Sequence, residues 1–219
     1  MVLNKRNVLA TLRAGAACAL LLALALLSGC SSCKDYKARI QELDTQVADL
    51  QSQLAARDST FKESQSLTSE LKANLQKCQA DKDVLVQQVN EVVQIRVPER
   101  LLFKFGSDKI RPEMKPTMQV IAQAINDRGD WEAYVEGYTD TKLIKNDYLD
   151  RWASNWELGA YRACAVVRYL TDEMKIPPQR LAAVSYGEYR PADSNDTSQG
   201  RANNRYVQIV LHKPGKSAP

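Results

Sequence analysis

Between Gly29 and Pro98 the chain contains neither glycine nor proline. A run of that length without a helix breaker leaves little but a long helix as its fold. Setting position a at Ile40, Val47, Leu54, Phe61, Thr68, Leu75, Lys82 and Val89 puts d at Tyr36, Leu43, Leu50, Arg57, Ser64, Leu71, Cys78, Leu85 and Val92, and 13 of these 17 positions are apolar. A seam repeating every 3.5 residues predicts a coiled coil rather than one amphipathic surface helix. Arg57, Ser64 and Thr68 interrupt the seam midway, as a local loosening or a register-setting feature. In a parallel homodimer Cys78 would face its twin, and an oxidising compartment would permit a disulfide between chains. A solitary helix acting as a tether is the plainer alternative.

The segment ahead of this rod reads as an address. Lys5, Arg6 and Arg13 precede an uncharged apolar run from Ala14 to Leu27 and then Ser28-Gly29-Cys30. That is the layout of a secretory signal, and the run is shorter than the roughly 20 residues a spanning helix needs. Leu27-Ser28-Gly29-Cys30 resembles the lipobox of bacterial lipoproteins, which implies cleavage after residue 29 and acylation of Cys30 as the membrane anchor. By the same resemblance, Ser31 in place of aspartate implies the outer membrane, with the chain facing the periplasm.

Charge and composition narrow the chemistry. The full chain carries 30 Lys+Arg against 26 Asp+Glu, and three of the basic residues with none of the acidic ones lie in residues 1–29, so the remainder has a net charge of +1. So mild a balance does not predict nucleic-acid binding. His212 is the single histidine and no pair of cysteines has zinc-finger spacing with partners, so neither a metal, a cofactor nor histidine-dependent catalysis is expected. Cys30 and Cys33 form a C-x-x-C pair without a thioredoxin-like surround. The pairing of Cys33, Cys78 and Cys164 is left open.

From Pro98 onward glycines and prolines return. The pattern predicts a strand over 95–105, a helix over 112–126, a strand over 133–138 and a long loop. A helix over 156–175, a strand over 181–186, a helical turn near Gly200 and a strand over 206–212 follow. Alternating strands and helices imply an α/β (α+β) domain with helices packed on a mixed β-sheet. Ser154 with Glu157 three residues later is a capping box for the second long helix. Ala160, Ala163, Val167, Leu170 and Met174 mark its buried stripe.

Four segments in order carry a family resemblance: Val135-Glu136-Gly137-Tyr138-Thr139-Asp140, Asn155-Trp156-Glu157-Leu158-Gly159-Ala160-Tyr161-Arg162-Ala163, Tyr186-Gly187-Glu188-Tyr189-Arg190-Pro191, and Gly200-Arg201-Ala202-Asn203-Asn204-Arg205-Tyr206-Val207. Together they resemble the OmpA-like peptidoglycan-binding domain, with wording near the branch that includes flagellar-motor MotB proteins. The resemblance implies that Asp140, Arg162 and Asn155 grip the diaminopimelate of a peptidoglycan stem peptide, with Thr139 and Arg205 as weaker candidates. The chemistry of the residues agrees. A free diaminopimelate end carries an ammonium and a carboxylate on one carbon, and Asp140 and the planar fork of Arg162 supply one partner for each. Tyr206 stands where many members carry a second arginine. The loop from Thr141 to Ala153, with Leu143, Ile144, Tyr148, Leu149 and Trp152, is longer than in the plainest members and would alter the entrance. Trp131, Trp152 and Trp156 are a nominal sugar-stacking set, although burial is the commoner use of such rings.

The expected organisation is therefore a signal over 1–29, a lipidated coiled-coil rod over 30–95, an OmpA-like domain over 96–212 and a tail over 213–219. The expected role is a non-enzymatic tether between outer membrane and wall, with a flagellar-motor or envelope-assembly component as the alternative. A hydrolase using Glu136 and Asp140 would need the two carboxylates about 5 to 9.5 Å apart, and an extended strand separates them by about 13 Å.

Overall fold

The computed structural model describes residues 31–77, 83–104, 109–144 and 150–214. Cys30, Cys78, the signal and most of the tail lie outside them, so the lipidation and Cys78 readings are not addressed by the structure. The chain divides into two compact units, Met1–Ala56 and Arg57–Pro219. Helix α1 (Ser31–Lys77) contributes to both. The second unit then runs through β1 (Leu85–Val89), β2 (Val92–Pro98), the one-turn helix α2 (Glu99–Leu102), a 3-10 turn (Pro112–Met114), α3 (Lys115–Asn126) and β3 (Glu132–Tyr138). It continues with α4 (Asn155–Asp172), a second 3-10 turn (Pro178–Arg180), β4 (Leu181–Gly187), α5 (Ser198–Asn204) and β5 (Tyr206–His212).

The five strands form one mixed sheet in the order β1-β2-β5-β3-β4. β1 and β2 make an antiparallel hairpin that closes at Val89↔Val92, where Asn90 adopts a positive φ of 55°. Asparagine tolerates that conformation better than most residues. β2 and β3 pair antiparallel with β5, while β3 and β4 pair parallel. A parallel pair needs a crossover, and α4 supplies it. Alternation along the strands sends Val93, Ile95, Val97, Ala133, Val135, Val207, Ile209 and Leu211 into one core with Met118, Ile121 and Ile125 of α3 and Ala163, Val166 and Leu170 of α4. The buried stripe of α4 is centred on Gly159, Ala163, Val166 and Leu170, with Ala160 and Val167 half-buried at its flank.

Mixed sheet, packed helices and a long N-terminal helix agree with the expected fold, whereas the expected extent of the rod does not. The helix ends at Lys77, and Leu85, Val89 and Val92, three of the seam positions, are strand residues. The valine-rich, alternating segment 84–97 is as good a hairpin as it is a heptad, and pairing with β5 decides for the hairpin. The strand expected over 95–105 is also cut short. After Pro98 the Glu99 amide donates to Arg205 O at 3.0 Å, the Phe103 amide donates to Glu99 O at 2.9 Å, and the chain turns once as α2.

Within the second unit, Leu67, Leu71 and Leu75 of α1 belong to the domain core, and Thr60, Ser64 and Thr68 are buried beside them. The polar interruption of the seam thus has a local explanation. Ser64 Oγ accepts from Gln88 Nε2 at 2.7 Å, Arg57 Nε pairs with Glu91 Oε1 at 2.7 Å, and Glu70 and Glu63 pair with Arg128 and Lys213. In the first unit the seam residues Tyr36, Ile40, Leu43, Val47, Leu50 and Leu54 are all exposed.

Candidate functional site

β3 and α4 approach each other unusually closely. A Cβ on Gly137 would lie 2.0 Å from Gly159 O, so two facing glycines let the helix backbone rest on the strand. Three residues past each glycine come Asp140, just beyond the end of β3, and Arg162, one turn along α4. Close packing of the two backbones is what brings those side chains to one end of the sheet. The helix is fixed at its start by Ser154, whose Oγ accepts from the Trp156 amide at 3.2 Å and bonds Glu157, forming the expected capping box.

The charges gathered there form a chain of four. Asp140 Oδ2 accepts from Arg205 Nη1 at 2.6 Å, Arg205 Nε lies 3.6 Å from Glu99 Oε2, and Glu99 Oε1 accepts from Arg162 Nη2. Asp140 and Arg162, expected to act as a pair, therefore stand at the two ends of the cluster, each held by a counter-ion of its own. Their side chains are 10% and 14% exposed, so neither charge is freely hydrated. Burial pushes the Arg162 guanidinium below the ordinary arginine range; Glu99 opposes this, Arg205 adds to it, and Asp140 opposes it.

Two polar atoms of the candidate residues are buried without a hydrogen-bond partner: Arg162 Nη1, in the cluster, and Thr139 Oγ1, in the residue before Asp140. Buried donors of this kind carry a desolvation cost that a bound acceptor would remove. Asn155 has a different part. Its Nδ2 donates to Asp140 O and Lys142 O, each at 3.2 Å, and to Glu188 Oε2 at 2.6 Å. With the Lys142 amide also donating to Asp140 Oδ1 at 3.2 Å, the asparagine holds the Asp140 loop in shape. Glu99 was not singled out from the sequence. It lies outside the four motifs, and only the turn of α2 aims it at the arginines. An acidic residue in the first turn after Pro98 is the one local signal that could have found it.

The other sequence candidates divide among separate environments. Tyr206 stacks on Tyr138 with ring centroids 4.3 Å apart and carries Arg96 over its own ring at 4.2 Å. Glu136 lies on the same sheet face as those tyrosines, where its Oε2 accepts from Tyr138 Oη at 2.8 Å and from Gln208 Nε2 at 3.1 Å. Among the described residues it shares no hydrogen-bond partner with Asp140. Trp131 is core, and Trp152 is buried against Tyr161 with centroids 5.3 Å apart, which ties the long loop to α4. Trp156 is exposed and stacked on Tyr189. Leu143 of the loop is 91% exposed, and Tyr148 and Leu149 lie outside the described residues.

Known proteins resemble this chain in sequence and in fold. The OmpA family model matches residues 102–205. A peptidoglycan-associated lipoprotein of Pseudomonas putida is 31% identical over 121 residues, covering 55% of this chain and 68% of the relative. Motility protein B of Bacillus subtilis is 30% identical over 122 residues, covering 56% of this chain and 46% of the relative. The chain thus spans about half the length of that motility protein. The crystal structure of a putative MotB like protein from Desulfovibrio vulgaris superposes with a TM-score of 0.66 at 24% identity, covering 75% of this chain and 99% of that one, a likeness of fold. On the strength of the family model, the lipoprotein relative and the shared fold, the chain belongs to the OmpA family.

Proposed function

We propose that the domain binds peptidoglycan noncovalently by holding the zwitterionic end of diaminopimelate in the cluster of Glu99, Asp140, Arg162 and Arg205. The observation that carries this reading is the unpartnered buried Nη1 of Arg162 within a set of two guanidiniums and two carboxylates, with the unpartnered Thr139 hydroxyl in the residue before Asp140. Such a set is electrically balanced, so a ligand with both charges enters without leaving a net buried charge, whereas a lone anion or cation would not. The ligand carboxylate would take the Arg162 and Thr139 donors, and its ammonium would share Asp140 with Arg205. The role is binding, not catalysis.

In the same reading, Cys30 carries the lipid that anchors the chain in the outer membrane, and α1 serves as the spacer towards the wall. Linking a weak membrane anchor to a weak wall site raises the retention of both. The exposed apolar seam from Tyr36 to Leu54 supports pairing of two chains along that portion of the helix. A second reading, a flagellar-motor or envelope-assembly component localised by wall binding, is favoured by the likeness to Motility protein B.

The deciding experiment is recovery on purified sacculi of the wild-type chain beside Asp140→Ala and Arg162→Ala, with folding checked for each. Loss of one partner of such a charge set costs about 2 to 5 kcal/mol, so either substitution is expected to abolish recovery. Equal recovery of all three would refute the assignment, and released muropeptides would refute the non-enzymatic role. Loss of motility on gene deletion, with attachment of envelope to wall unchanged, would select the second reading.

A further inference from the structure

Three large apolar side chains that the domain leaves exposed gather round one hydrogen-bond hub. Asn155 Nδ2 donates to Asp140 O, to Lys142 O and to Glu188 Oε2. The residues that follow Lys142, Asn155 and Glu188 in the chain are Leu143, Trp156 and Tyr189, which are 91%, 46% and 64% exposed. The Thr139 amide donates to Gly187 O at 2.9 Å, and a Cβ on Gly187 would lie 3.4 Å from the Trp156 amide nitrogen. The ends of β3 and β4 and the start of α4 therefore meet here, at the end of the sheet where Asp140 stands.

Trp156 and Tyr189 act as one surface. Their rings stack with centroids 5.3 Å apart and planes 25° from parallel, so a platform is held by α4 on one side and by the turn after β4 on the other. Stacking covers part of each ring and leaves the rest open to water, and apolar surface held out in this way marks an interaction site. Its size selects the class of ligand. With about 150 to 250 Å² for a whole aromatic side chain, the open parts of the two rings come to about 250 Å². A protein partner takes about 800 Å² from each side, far more than the rings offer even with Leu143 at their margin. A sugar needs much less, and the negative face of an aromatic ring suits the polarised C–H bonds along one side of a pyranose.

We propose that the Trp156–Tyr189 platform is a carbohydrate subsite, which stacks an amino sugar of the wall glycan while the charge cluster holds the diaminopimelate of the attached stem peptide. The inference rests on the wall-binding function proposed above and extends it from peptide to glycan. The reach is short enough. Asp140 O is 3.2 Å from Asn155 Nδ2, and Trp156 starts one α-carbon step, about 3.8 Å, further along the chain. Two residues separate diaminopimelate from the sugar, about 7 Å of extended peptide before the link to the ring is added. The consequence is selectivity: stem peptide still carried on glycan is held more tightly than stem peptide that has been cut free.

The test is calorimetric titration of the full chain with three ligands: the tripeptide alanyl-γ-glutamyl-diaminopimelate, the same tripeptide on its N-acetylglucosaminyl-N-acetylmuramyl disaccharide, and a peptide-free tetrasaccharide of the same glycan. The wild-type chain is expected to bind the disaccharide form about tenfold more tightly than the bare tripeptide, the scale of one good aromatic contact. Tyr189→Ala is expected to lose that advantage while keeping the tripeptide affinity, and to abolish the weak binding of the tetrasaccharide. A wild-type chain that holds the two peptide ligands equally, as a face that docks protein would, overturns the platform alone. So does a Y189A chain that weakens both by the same factor, which would make the ring a prop for the Asn155 hub. Binding of the tetrasaccharide without the tripeptide would keep the platform and remove the diaminopimelate site, and binding of none of the three overturns both.

Discussion

The Thr139 hydroxyl is buried, has no partner and sits beside Asp140, so its folding and binding roles can be separated by one substitution. Thr139→Val removes an unsatisfied polar group from a dry position and is expected to leave the denaturation midpoint unchanged or slightly higher. The same variant should bind diaminopimelate about tenfold more weakly, since a hydroxyl donor to a carboxylate is lost. A loss of stability with no change in affinity would show the hydroxyl to be structural. Glu136 gives a contrasting case on the other face of the sheet. Burial pushes its carboxyl above the usual range, while Tyr138 and Gln208 only partly offset this. Folding therefore raises the proton affinity of this carboxyl, so the associated stability is fully present below the unfolded value of about 4.3 and is lost as pH rises through the higher folded value. Glu136→Gln should flatten that part of the pH–stability profile and make the chain more stable than wild type at pH 7. Urea midpoints for the two chains at pH 4, 5.5 and 7 decide it, and parallel profiles would count against a desolvated Glu136.

At the level of elements, the site depends on how closely α4 lies on β3. Gly137→Ala would drive a methyl group into the Gly159 carbonyl, a backbone contact that no rotamer change relieves. The helix must then move away, at a cost of about 1 to 3 kcal/mol in stability as for other overpacked positions, and carry Arg162 from its place opposite Glu99. Gly159→Ala meets Ser185 Oγ at 2.4 Å, the tip of a side chain that can rotate, and is expected to cost less. Thermal melts of both variants, with diaminopimelate affinity, check the ordering; a milder effect at Gly137 than at Gly159 would be the wrong way round. The capped start of α4 was plain from Ser154 and Glu157 because a capping box is local. The one-turn α2 was not, because it is set by the Glu99 amide reaching Arg205 O, more than a hundred residues away.

For the whole molecule the informative comparison is between two truncations within α1. Removing residues through Ala56 takes away the exposed seam residues Tyr36 to Leu54 and none of the domain core. The remaining domain should melt as before, and any self-association that depends on Tyr36 to Leu54 should disappear in sedimentation velocity. Removing residues through Lys77 also takes Leu67, Leu71 and Leu75, each buried to 5% exposure or less. At about 1.5 to 3 kcal/mol for each buried leucine, that loss should unfold the domain or leave it aggregating. Two truncations of equal stability would mean that the end of α1 is not part of the domain. The helix without breakers, the four motifs in order and the mixed sheet with packed helices were readable from the chain, since periodicity, capping and motif spacing are properties of neighbours in sequence. The three-dimensional arrangement alone decided that Leu71 and Leu75 of the apolar seam are domain core, and that segment 84–97 is a hairpin. It decided too that Glu99 joins two arginines and that Asn155 braces a loop. Those outcomes depend on which distant segment a face or a charge meets, and a heptad pattern or a single carboxylate carries no record of its partner.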